Sequence, residues 1–566
     1  MDRSKLEADT LKIPVRQSLK SLGAFYTDTQ IADFLVWWAI RSAQDLVLDP
    51  CFGGGVFLRS ACNRLIKLGG QPASQVFGVE LDYSVYAQIA NNLSQEFGVR
   101  KRNLLVRDFF DVDPATIPQV DAIIGNPPFI RYHRFSGAER KQALIRAEQQ
   151  GVHLTELSSS WAPFLIHSIA MLKPGGRLVM VVPMEIAHAA YARPVLHHLY
   201  KSFGKVTFLT FRKKLFPDLS EDTLLLLAED KGSFPAIFLV RDVTHASLLA
   251  EIQNRGQLPL SGARRINAQA VSQGCERLIE YLIPKQAREL YRELKNLPLT
   301  RRLGDLADVG IGYVTGANDF FHLQPQEAQR WEIPQHFLKP AVRRSRALSG
   351  LRFTTKDWRD ALAVGEAGYL LCIQSEVDLP RSVRRYLERG EAQGVSKAYK
   401  CRTRSPWFRV PHVYQPDAFL SYMSGVMPRL VANDARVVAP NSLHILRLPP
   451  HTPVTSDVLA ALWQTSLTRL SVEIEGHALG GGMLKLEPTE AENISVAWTQ
   501  DGNDRLADLV EELDTLIRSG DETAAQARAD KVILRDSIGL SRNECRLLRT
   551  AAETLRNRRY ARSTAA

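Results

Sequence analysis

The stretch that decides the fold is Asp121–Phe129, which reads DAIIGNPPF. Its apolar first half, bounded by glycine and proline, is typical of a short buried strand. Two successive prolines cannot continue a β-ladder, so the chain must turn out of the sheet after Gly125. Each residue before a proline is also restricted to an extended conformation. The turn is therefore stiff, and it fixes Asn126, Pro127 and Phe129 relative to one another.

The groups on this turn suit an exocyclic amine on a nucleobase. The Asn126 side-chain oxygen and the Pro127 carbonyl are acceptors for the two N–H donors of a planar amino group. The Phe129 ring can lie against the face of the base. The lone pair of such an amine is delocalised, and two prearranged acceptors favour the more tetrahedral nitrogen that attacks an electrophile. The alternative is that this tetrapeptide only ends a strand.

Three further strand-like segments end in acidic residues, at Asp49, Glu80 and Asp108. Asp49–Phe57 is a glycine-rich turn that leads into a helical pattern, and it has neither the dinucleotide-binding spacing nor a P-loop lysine. Glu80 can accept hydrogen bonds from ribose hydroxyls. Asp108 can accept from an adenine amino group while Phe109 covers the ring. One such acid alone is typical of a solvated strand end, but polar groups at four consecutive strand ends predict one ligand site along a single sheet edge.

Composition agrees with a multidomain globular protein. The 566 residues suit two or three domains, and 45% hydrophobic with 23% charged residues are ordinary globular values. The sequence has no signal-peptide pattern and no apolar stretch of membrane-spanning length. We therefore expect no membrane partner. The six cysteines form no CxxC pair, so we expect reduced thiols, no zinc site and a cytoplasmic protein. The net charge of +11 is weak support for a polyanionic partner.

In these segments the chain resembles the S-adenosylmethionine-dependent DNA adenine-N6 methyltransferases. The order matches their gamma arrangement, in which cofactor motifs come first, catalysis second and target recognition last. Asn126–Phe129 is similar to the catalytic tetrapeptide of that family, and Asp49–Leu58 is similar to its glycine-rich loop. Phe129 stands where tyrosine is commoner, which keeps the stacking face and loses a hydroxyl.

The resemblance implies S-adenosylmethionine as the cofactor and no metal. It implies catalytic roles for Asn126, Pro127, Pro128 and Phe129. The cofactor-binding residues that it implies are Tyr26, Thr27, Asp49, Pro50, Gly53, Gly55, Phe57, Glu80, Leu81, Asp108, Phe109 and Asn126. Phe129 and Phe216 are expected to stack on a target base.

The fold class implied is α/β. A doubly wound, mostly parallel class I methyltransferase sheet is followed by a C-terminal α+β DNA target-recognition domain and a helical tail. We predict a catalytic domain at 1–241, a helical connector at 242–300, the recognition domain at 301–500 and a helical region at 501–566. Candidate DNA contacts in the recognition domain are Arg343, Arg344, Lys400, Arg402 and Arg404. The alternative, that these arginines are ordinary surface residues, stays open.

These features lead us to expect a site-specific enzyme that flips an adenine out of duplex DNA and methylates its N6 amino group. Its expected context is a restriction–modification or related defence system. A separately encoded restriction endonuclease is a further candidate partner, and DNA binding would associate the protein with the nucleoid. The alternatives are a cytosine-N4 methyltransferase, an RNA or protein amino-group methyltransferase, and a catalytically silent DNA-binding specificity subunit. Intact Asp49 and Asn126 argue against the silent subunit.

Overall fold

The computed structural model describes residues 27–131, 134–216, 222–254, 262–373, 379–498 and 502–561. The predicted cofactor residue Tyr26 lies outside the described residues. The chain divides into two compact units. The first unit contains the described residues up to Leu282 together with Tyr560 and Ala561, and the second unit is Ile283–Arg559.

One large sheet organises the described part of the first unit. Its strands, in chain order, are β1 (Val47–Asp49), β2 (Val76–Glu80), β3 (Leu104–Val106), β4 (Val120–Gly125), β5 (Leu172–Pro183), β6 (Lys205–Phe211), β7 (Thr223–Glu229), β8 (Ile237–Val243) and β9 (Ala263–Ile266). Their order across the sheet is β3-β2-β1-β4-β5-β7-β6-β8-β9. Pairing is parallel from β3 to β5 and between β6 and β8, whereas β7 and β9 run antiparallel to their neighbours. The predicted doubly wound, mostly parallel sheet is thus confirmed.

Helices connect these strands. They are α1 (Thr29–Ala39), α2 (Val56–Leu68), α3 (Pro72–Gln75), α4 (Tyr83–Phe97), α5 (Gly137–Gln149), α6 (Trp161–Ala170), α7 (Arg193–Ser202), α8 (Leu248–Asn254) and α9 (Ala268–Gln273). The crossovers place the carboxyl ends of β1, β2, β3 and β4 along one edge, because parallel neighbours share their direction. That edge carries the four polar strand ends singled out in the sequence.

The sheet extends further than the sequence indicated. Residues 242–282, predicted as the start of a helical connector, contain β9, which pairs antiparallel with β8, and they belong to the first unit. β9 reads ARRI, and both its arginines are exposed. An exposed edge strand of this kind has no apolar run, so hydrophobic patterning did not reveal it.

The second unit contains several small sheets. Its strands are β10 (Thr300–Arg302), β11 (Asp308–Ile311), β12 (His322–Leu323), β13 (Leu338–Val342), β14 (Ala367–Leu371), β15 (Ala418–Ser421), β16 (Met423–Ser424), β17 (Leu430–Ala432), β18 (Leu443–Arg447), β19 (His477–Ala478), β20 (Leu484–Lys485) and β21 (Ser495–Ala497). They pair as β10-β21, β11-β18-β15-β17, β12-β14-β13 and β16-β20-β19. Two buried apolar clusters, one around Phe321 and Tyr386 and one around Phe353 and Phe419, form its cores.

The helices of the second unit complete the predicted α+β domain and its helical tail. They are α10 (Lys285–Lys295), α11 (Leu303–Leu306), α12 (Asn318–Phe321), α13 (Pro325–Arg330), α14 (Thr355–Ala363), α15 (Arg381–Ala392), α16 (Tyr399–Arg402), α17 (Ser456–Leu462), α18 (Ser466–Glu475), α19 (Pro488–Glu492), α20 (Gly502–Arg518), α21 (Glu522–Ala529) and α22 (Arg542–Ala561). A π-helical segment, Asp530–Ser537, links α21 to the turn before α22. Nearly all of α20–α22 lies within the second unit.

Candidate active site

Asn126 brings three of the predicted segments together. It follows β4, and a Cβ placed on the preceding Gly125 would lie only 3.2 Å from Asp49 Oδ1, so the ends of β4 and β1 approach closely. The Asn126 side-chain Nδ2 donates to Thr27 Oγ1 at 3.3 Å. The Cys51 thiol donates to the Asn126 backbone carbonyl at 3.3 Å. The catalytic turn, the glycine-rich loop and Thr27 therefore meet at one residue.

Two buried oxygens at this point have no hydrogen-bond partner among the described residues: Asp49 Oδ2 and Asn126 Oδ1. The other Asp49 oxygen accepts from the Cys51 backbone N–H at 3.1 Å. Burial raises the pKa of Asp49 to about 8, with a smaller raising effect from the Glu80 charge and an opposing effect from the Cys51 N–H. A buried acceptor without a donor is costly. These oxygens suit N–H donors or a positive charge on a bound molecule, so the site fits a cationic cofactor and an amine.

Glu80 ties two loops together at the end of β2. One carboxylate oxygen accepts from the backbone N–H of Gly53 at 2.9 Å. The other accepts from the N–H groups of Leu81 and Asp82, both at 2.9 Å. The carboxylate therefore holds the glycine-rich loop against the turn that follows β2, next to the edge where a ribose is expected.

Gly55 is the position in the loop that only glycine fits. It precedes α2 with φ of 74°, and an added Cβ would lie 2.5 Å from Ile89 Cγ2 on α4. Its N–H donates to the Phe52 carbonyl at 2.7 Å and closes the turn. Pro50 and Phe57 are buried on either side. The loop is thus tight because backbone, rather than side chain, lies against the neighbouring helix.

Asp108 and Phe109 occupy the end of β3. Asp108 accepts from the Phe110 N–H at 3.0 Å, and burial raises the pKa of this carboxyl. The Phe109 ring is buried, 4.8 Å from the Phe164 ring and 4.7 Å from the His167 ring, centroid to centroid. Phe109 is therefore part of the core here, and its contact with a cofactor ring stays a prediction.

Ser160 holds the catalytic turn, and the sequence reasoning missed it. Its hydroxyl donates to the Pro128 carbonyl and accepts from the Ile130 N–H at 2.9 Å. Its own N–H donates to the Ile130 carbonyl at 3.0 Å. These bonds bracket Phe129, which is buried. Phe216 is also buried, in the loop after β6, and its stacking role stays a prediction.

A second group of side chains anchors the start of α6. The Trp161 indole N–H lies 2.9 Å from the Tyr191 hydroxyl and 3.4 Å from Glu185 Oε2. The Tyr191 hydroxyl donates to the same Glu185 oxygen, and Ser159 Oγ lies 3.5 Å from it. Burial, followed by the charge of Glu185, raises the pKa of Tyr191 well above its ordinary value. The chain segment after β5 therefore supports the turn after β4 through α6.

Cys51 lies beside the catalytic turn, but its environment suits a neutral thiol. Burial, followed by the charges of Asp49 and Glu80, raises the pKa of Cys51 well above its ordinary value. Its thiol donates to the Asn126 carbonyl. A thiolate is the nucleophilic form of cysteine, so these contacts indicate a structural role for Cys51.

The candidate DNA contacts in the second unit differ from one another. Lys400 and Arg402 are exposed and lie 5.5 Å and 5.4 Å from the centre of the exposed Tyr399 ring. The Arg404 guanidinium donates to the Thr315 carbonyl at 2.8 Å and also to the Val314 carbonyl. Arg404 thus holds a neighbouring loop, and its contact with DNA stays a prediction.

Arg343 and Arg344 follow β13 and line a surface cavity. Their contact with DNA stays a prediction.

The described residues lack two further features. No helix among them is both long and apolar enough to cross a membrane. They also contain no group of three or more His, Cys, Asp and Glu side chains placed to hold a metal ion.

Two family models match the chain. Residues 10–193 match the N-6 DNA Methylase family. Residues 276–534 match the C-terminal domain of the Type II methyltransferase M.Eco57I.

Several curated proteins align over most of the chain. M.AccI, a Type II methyltransferase of Acinetobacter calcoaceticus, is 23% identical, covering 86% of this chain and 87% of its own length. M.XamI of Xanthomonas campestris pv. amaranthicola is 22% identical, with coverage of 86% and 88%. Among solved structures, the Type IIL restriction-modification enzyme MmeI in complex with DNA has a TM-score of 0.56 at 12% identity, covering 94% of this chain and 75% of that chain. The last likeness bears on the fold alone. The comparisons confirm that the chain resembles the adenine-N6 DNA methyltransferases of restriction–modification systems, and they indicate a Type II DNA methyltransferase.

Proposed function

We propose that the protein transfers a methyl group from S-adenosylmethionine to the exocyclic N6 amino group of adenine in duplex DNA. The observation that carries this proposal is the buried Asn126 side chain. Its nitrogen is bound to Thr27, and its oxygen has no partner among the described residues. A planar amino group has two N–H donors, and this fixed oxygen offers an acceptor for one of them.

The chain supplies binding and orientation. Asn126 Oδ1 and the Pro127 carbonyl would accept the two amino N–H bonds and favour a nitrogen with a localised lone pair. Phe129, held in place by Ser160, would cover one face of the base, and Phe216 is the candidate for the other face. A base cannot reach such a pocket from within a duplex, so we propose that it is flipped out. Because the amine can lose its proton after attack, the site requires no strong base.

The cofactor would lie along the neighbouring strand ends. S-adenosylmethionine supplies the methyl group when it is bound. Asp49 and the glycine-rich loop would hold its charged end, and Glu80 would accept from its ribose hydroxyls. The adenine of the cofactor would lie near Asp108. Holding donor and acceptor in one geometry supplies much of the acceleration that such a site can give.

DNA binding is proposed for the second unit, on the half-buried Arg343 and the exposed Arg344, Lys400 and Arg402. The relatives are named as Type II methyltransferases, which supports a role as a modification enzyme. A separately encoded restriction endonuclease is the candidate partner.

The test is a nucleoside analysis. Purified protein is incubated with duplex DNA and radiolabelled S-adenosylmethionine, and the DNA is digested to nucleosides. We expect the label in N6-methyladenine. Label in N4-methylcytosine would replace the adenine assignment with the cytosine-N4 alternative, and DNA that stays unlabelled would overturn the proposal.

A further inference from the structure

A cavity of about 430 Å³ in the second unit is lined by cationic and amide side chains. Its lining residues are Asn318, Arg343, Arg344, Ser345, Arg346, Pro440, Asn441 and Ser442. None of these lining residues is aromatic, so the cavity offers no stacking face for a base. Guanidinium and amide groups are instead the donors that bind phosphate oxygens.

The far wall of the cavity is fixed by close backbone packing. A Cβ on Gly312 would lie 2.3 Å from the Pro440 carbonyl oxygen and 2.4 Å from that of Ala439, so no larger residue fits there. The Asn441 N–H donates to the Tyr313 carbonyl at 3.0 Å. Segment 439–442 is therefore seated directly on segment 312–313, which gives the cavity a rigid side.

Asn318 is oriented by a neighbouring hydroxyl. Thr315, which is buried, donates from Oγ1 to Asn318 Oδ1 at 2.5 Å. That bond engages the acceptor end of the amide. The NH2 end is the part of Asn318 that is then available to donate to a ligand in the cavity.

The arginines share one well-held counter-ion outside the cavity lining. Arg346 donates to Glu366 Oε1, and Arg344 Nη1 lies 3.9 Å from the same oxygen. This pairing lowers the pKa of Glu366, first through the Arg346 hydrogen bond. Arg343 lies 3.9 Å from Asp319, a carboxylate that is fully exposed and so only weakly coupled. Glu366 is therefore hydrogen-bonded to one of the three guanidinium groups, that of Arg346, and lies near a second, that of Arg344.

We propose that this cavity binds a phosphate of the DNA backbone and that Glu366 is the counter-ion which the phosphate displaces. The inference rests on the proposed function, because it takes DNA as the partner. A phosphate group accepts N–H bonds from guanidinium groups as a carboxylate does, so it can take the place that Glu366 Oε1 holds beside Arg346 and Arg344. Such a contact fixes position on the duplex without reading sequence.

The test measures how the affinity for duplex DNA depends on salt. The double variant Arg344→Gln/Arg346→Gln should lower the slope of log K against log[salt] by about 1 to 2, and it should do so equally on cognate and unrelated DNA. The matched control is Lys356→Gln/Arg359→Gln, which removes two exposed charges from α14 in the same unit. If the slope falls equally in both double variants, the loss of net charge explains the effect, and the proposed phosphate site is wrong.

A third variant tests the exchange itself. Glu366→Gln keeps all three arginines and removes the competing carboxylate, so DNA binding should tighten several-fold. Weaker binding by Glu366→Gln would contradict the exchange. Thermal unfolding and S-adenosylmethionine affinity, expected to match wild type in every variant, show that each protein is folded.

The two proposals fail in different ways. Wild-type protein that binds DNA but never methylates it would sink the proposed function and leave the phosphate site intact. Wild-type protein that methylates DNA, with an unchanged salt slope in the arginine variant, would sink the phosphate site alone. Inorganic phosphate is the second source of the same chemistry. Inorganic phosphate could raise the unfolding temperature of the wild type but not of the arginine double variant. If the two proteins also show the same salt slope for DNA binding, the cavity is a site for free anions and the DNA-phosphate proposal is wrong.

Discussion

The Asn126 amide is bound at one end and open at the other. Its nitrogen donates to Thr27, which fixes the rotation of the amide, and its oxygen has no partner among the described residues. A buried acceptor held in this way is stabilised when a ligand brings a donor. In the proposed site this oxygen accepts one N–H bond and the Pro127 carbonyl accepts the other, which suits an amine because a hydroxyl or thiol has only one hydrogen to donate.

Asp49 gives a prediction about pH. Burial raises its pKa to about 8, so the free carboxyl is largely protonated at neutral pH and ionises as the pH rises through that value. A cation favours the ionised form, so we expect cofactor binding to release a proton at neutral pH and affinity to rise from about pH 7 to about pH 9. Calorimetry in buffers of different ionisation enthalpy measures the release.

The control for this experiment is Asp49→Asn, which has no such proton to lose. The amino group of the cofactor titrates in both proteins, so the difference between them isolates Asp49. Equal proton release by the two proteins would contradict the prediction.

Ser160 gives a prediction about positioning. Ser160→Ala removes the hydroxyl that bridges Pro128 and Ile130, so the catalytic turn should loosen. We expect kcat to fall on the order of tenfold or more, because small displacements of reacting groups are costly, while S-adenosylmethionine affinity stays at the wild-type value. Single-turnover methylation measures the effect. Ser158→Ala is the matched neighbour, since its buried hydroxyl has no hydrogen-bond partner among the described residues, and a similar loss there would refute the specific role of Ser160.

At this scale the sequence revealed the polar strand ends but not the residues that hold them. Asp49, Glu80 and Asn126 follow apolar runs, so their place at the sheet edge could be predicted from local pattern. Ser160 acts on a turn that lies some 30 positions earlier in the chain, and a serine carries no local signal of such a contact. For Arg404 the local pattern gave a signal that the contacts do not match. A basic residue among aromatic residues predicted a DNA contact, whereas its guanidinium donates to two backbone carbonyls.

The glycine-rich element gives a prediction about α2. Gly55→Ala places a methyl group 2.5 Å from Ile89 at a positive φ, so both stability and S-adenosylmethionine affinity should fall. Gly69, at the other end of the same helix, has φ of 85° with nothing within 4 Å of an added Cβ. Gly69→Ala should therefore cost only the strain of a left-handed backbone, about 1–2 kcal/mol, and leave cofactor affinity unchanged. Thermal unfolding and cofactor titration of both variants decide it, and equal affinity losses would contradict the account.

The C-terminal helices brace the second unit. Arg559, on α22, is buried and paired with Glu473 on α18 at 2.7 Å. It also donates to the carbonyls of Gly425 and Gly482. Arg559→Ala leaves that carboxylate buried without its partner, so the free energy of unfolding should fall by about 3–5 kcal/mol. Urea denaturation measures it, with the exposed Arg542→Ala on the same helix as control. A loss under about 1 kcal/mol would show that the pair does not brace the unit.

Elements with strong patterns could be predicted from the sequence, and weakly patterned ones could not. β2 ends at the predicted Glu80 and β3 ends two residues before the predicted Asp108, because each is an apolar run that stops at a turn signal. β9 is polar and exposed, and many strands of the second unit have only two or three residues. Runs this short are set by tertiary packing rather than by periodicity, so only their mixed character could be anticipated.

For the whole molecule, the candidate catalytic residues and the candidate DNA-binding residues lie in different units, in the order that the sequence predicted. The polar sheet edge lies in the first unit, and the arginine-lined cavity lies in the second. The net charge of +11 is weak evidence for a polyanionic partner and does not say where that partner binds. The cavity lined by arginines gives a candidate place in the second unit. DNA affinity should accordingly weaken steeply with salt, whereas cofactor affinity should change little.

The most direct measurement is a map of modified bases across the genome of cells that express the wild-type protein or the Asn126→Ala variant. The wild-type protein should produce N6-methyladenine in one short sequence context. The variant should produce none, although it should still bind S-adenosylmethionine in vitro with near wild-type affinity. Methylated adenines that persist in the variant, or methylation confined to cytosine in the wild type, would contradict the claim that Asn126 holds the adenine amino group.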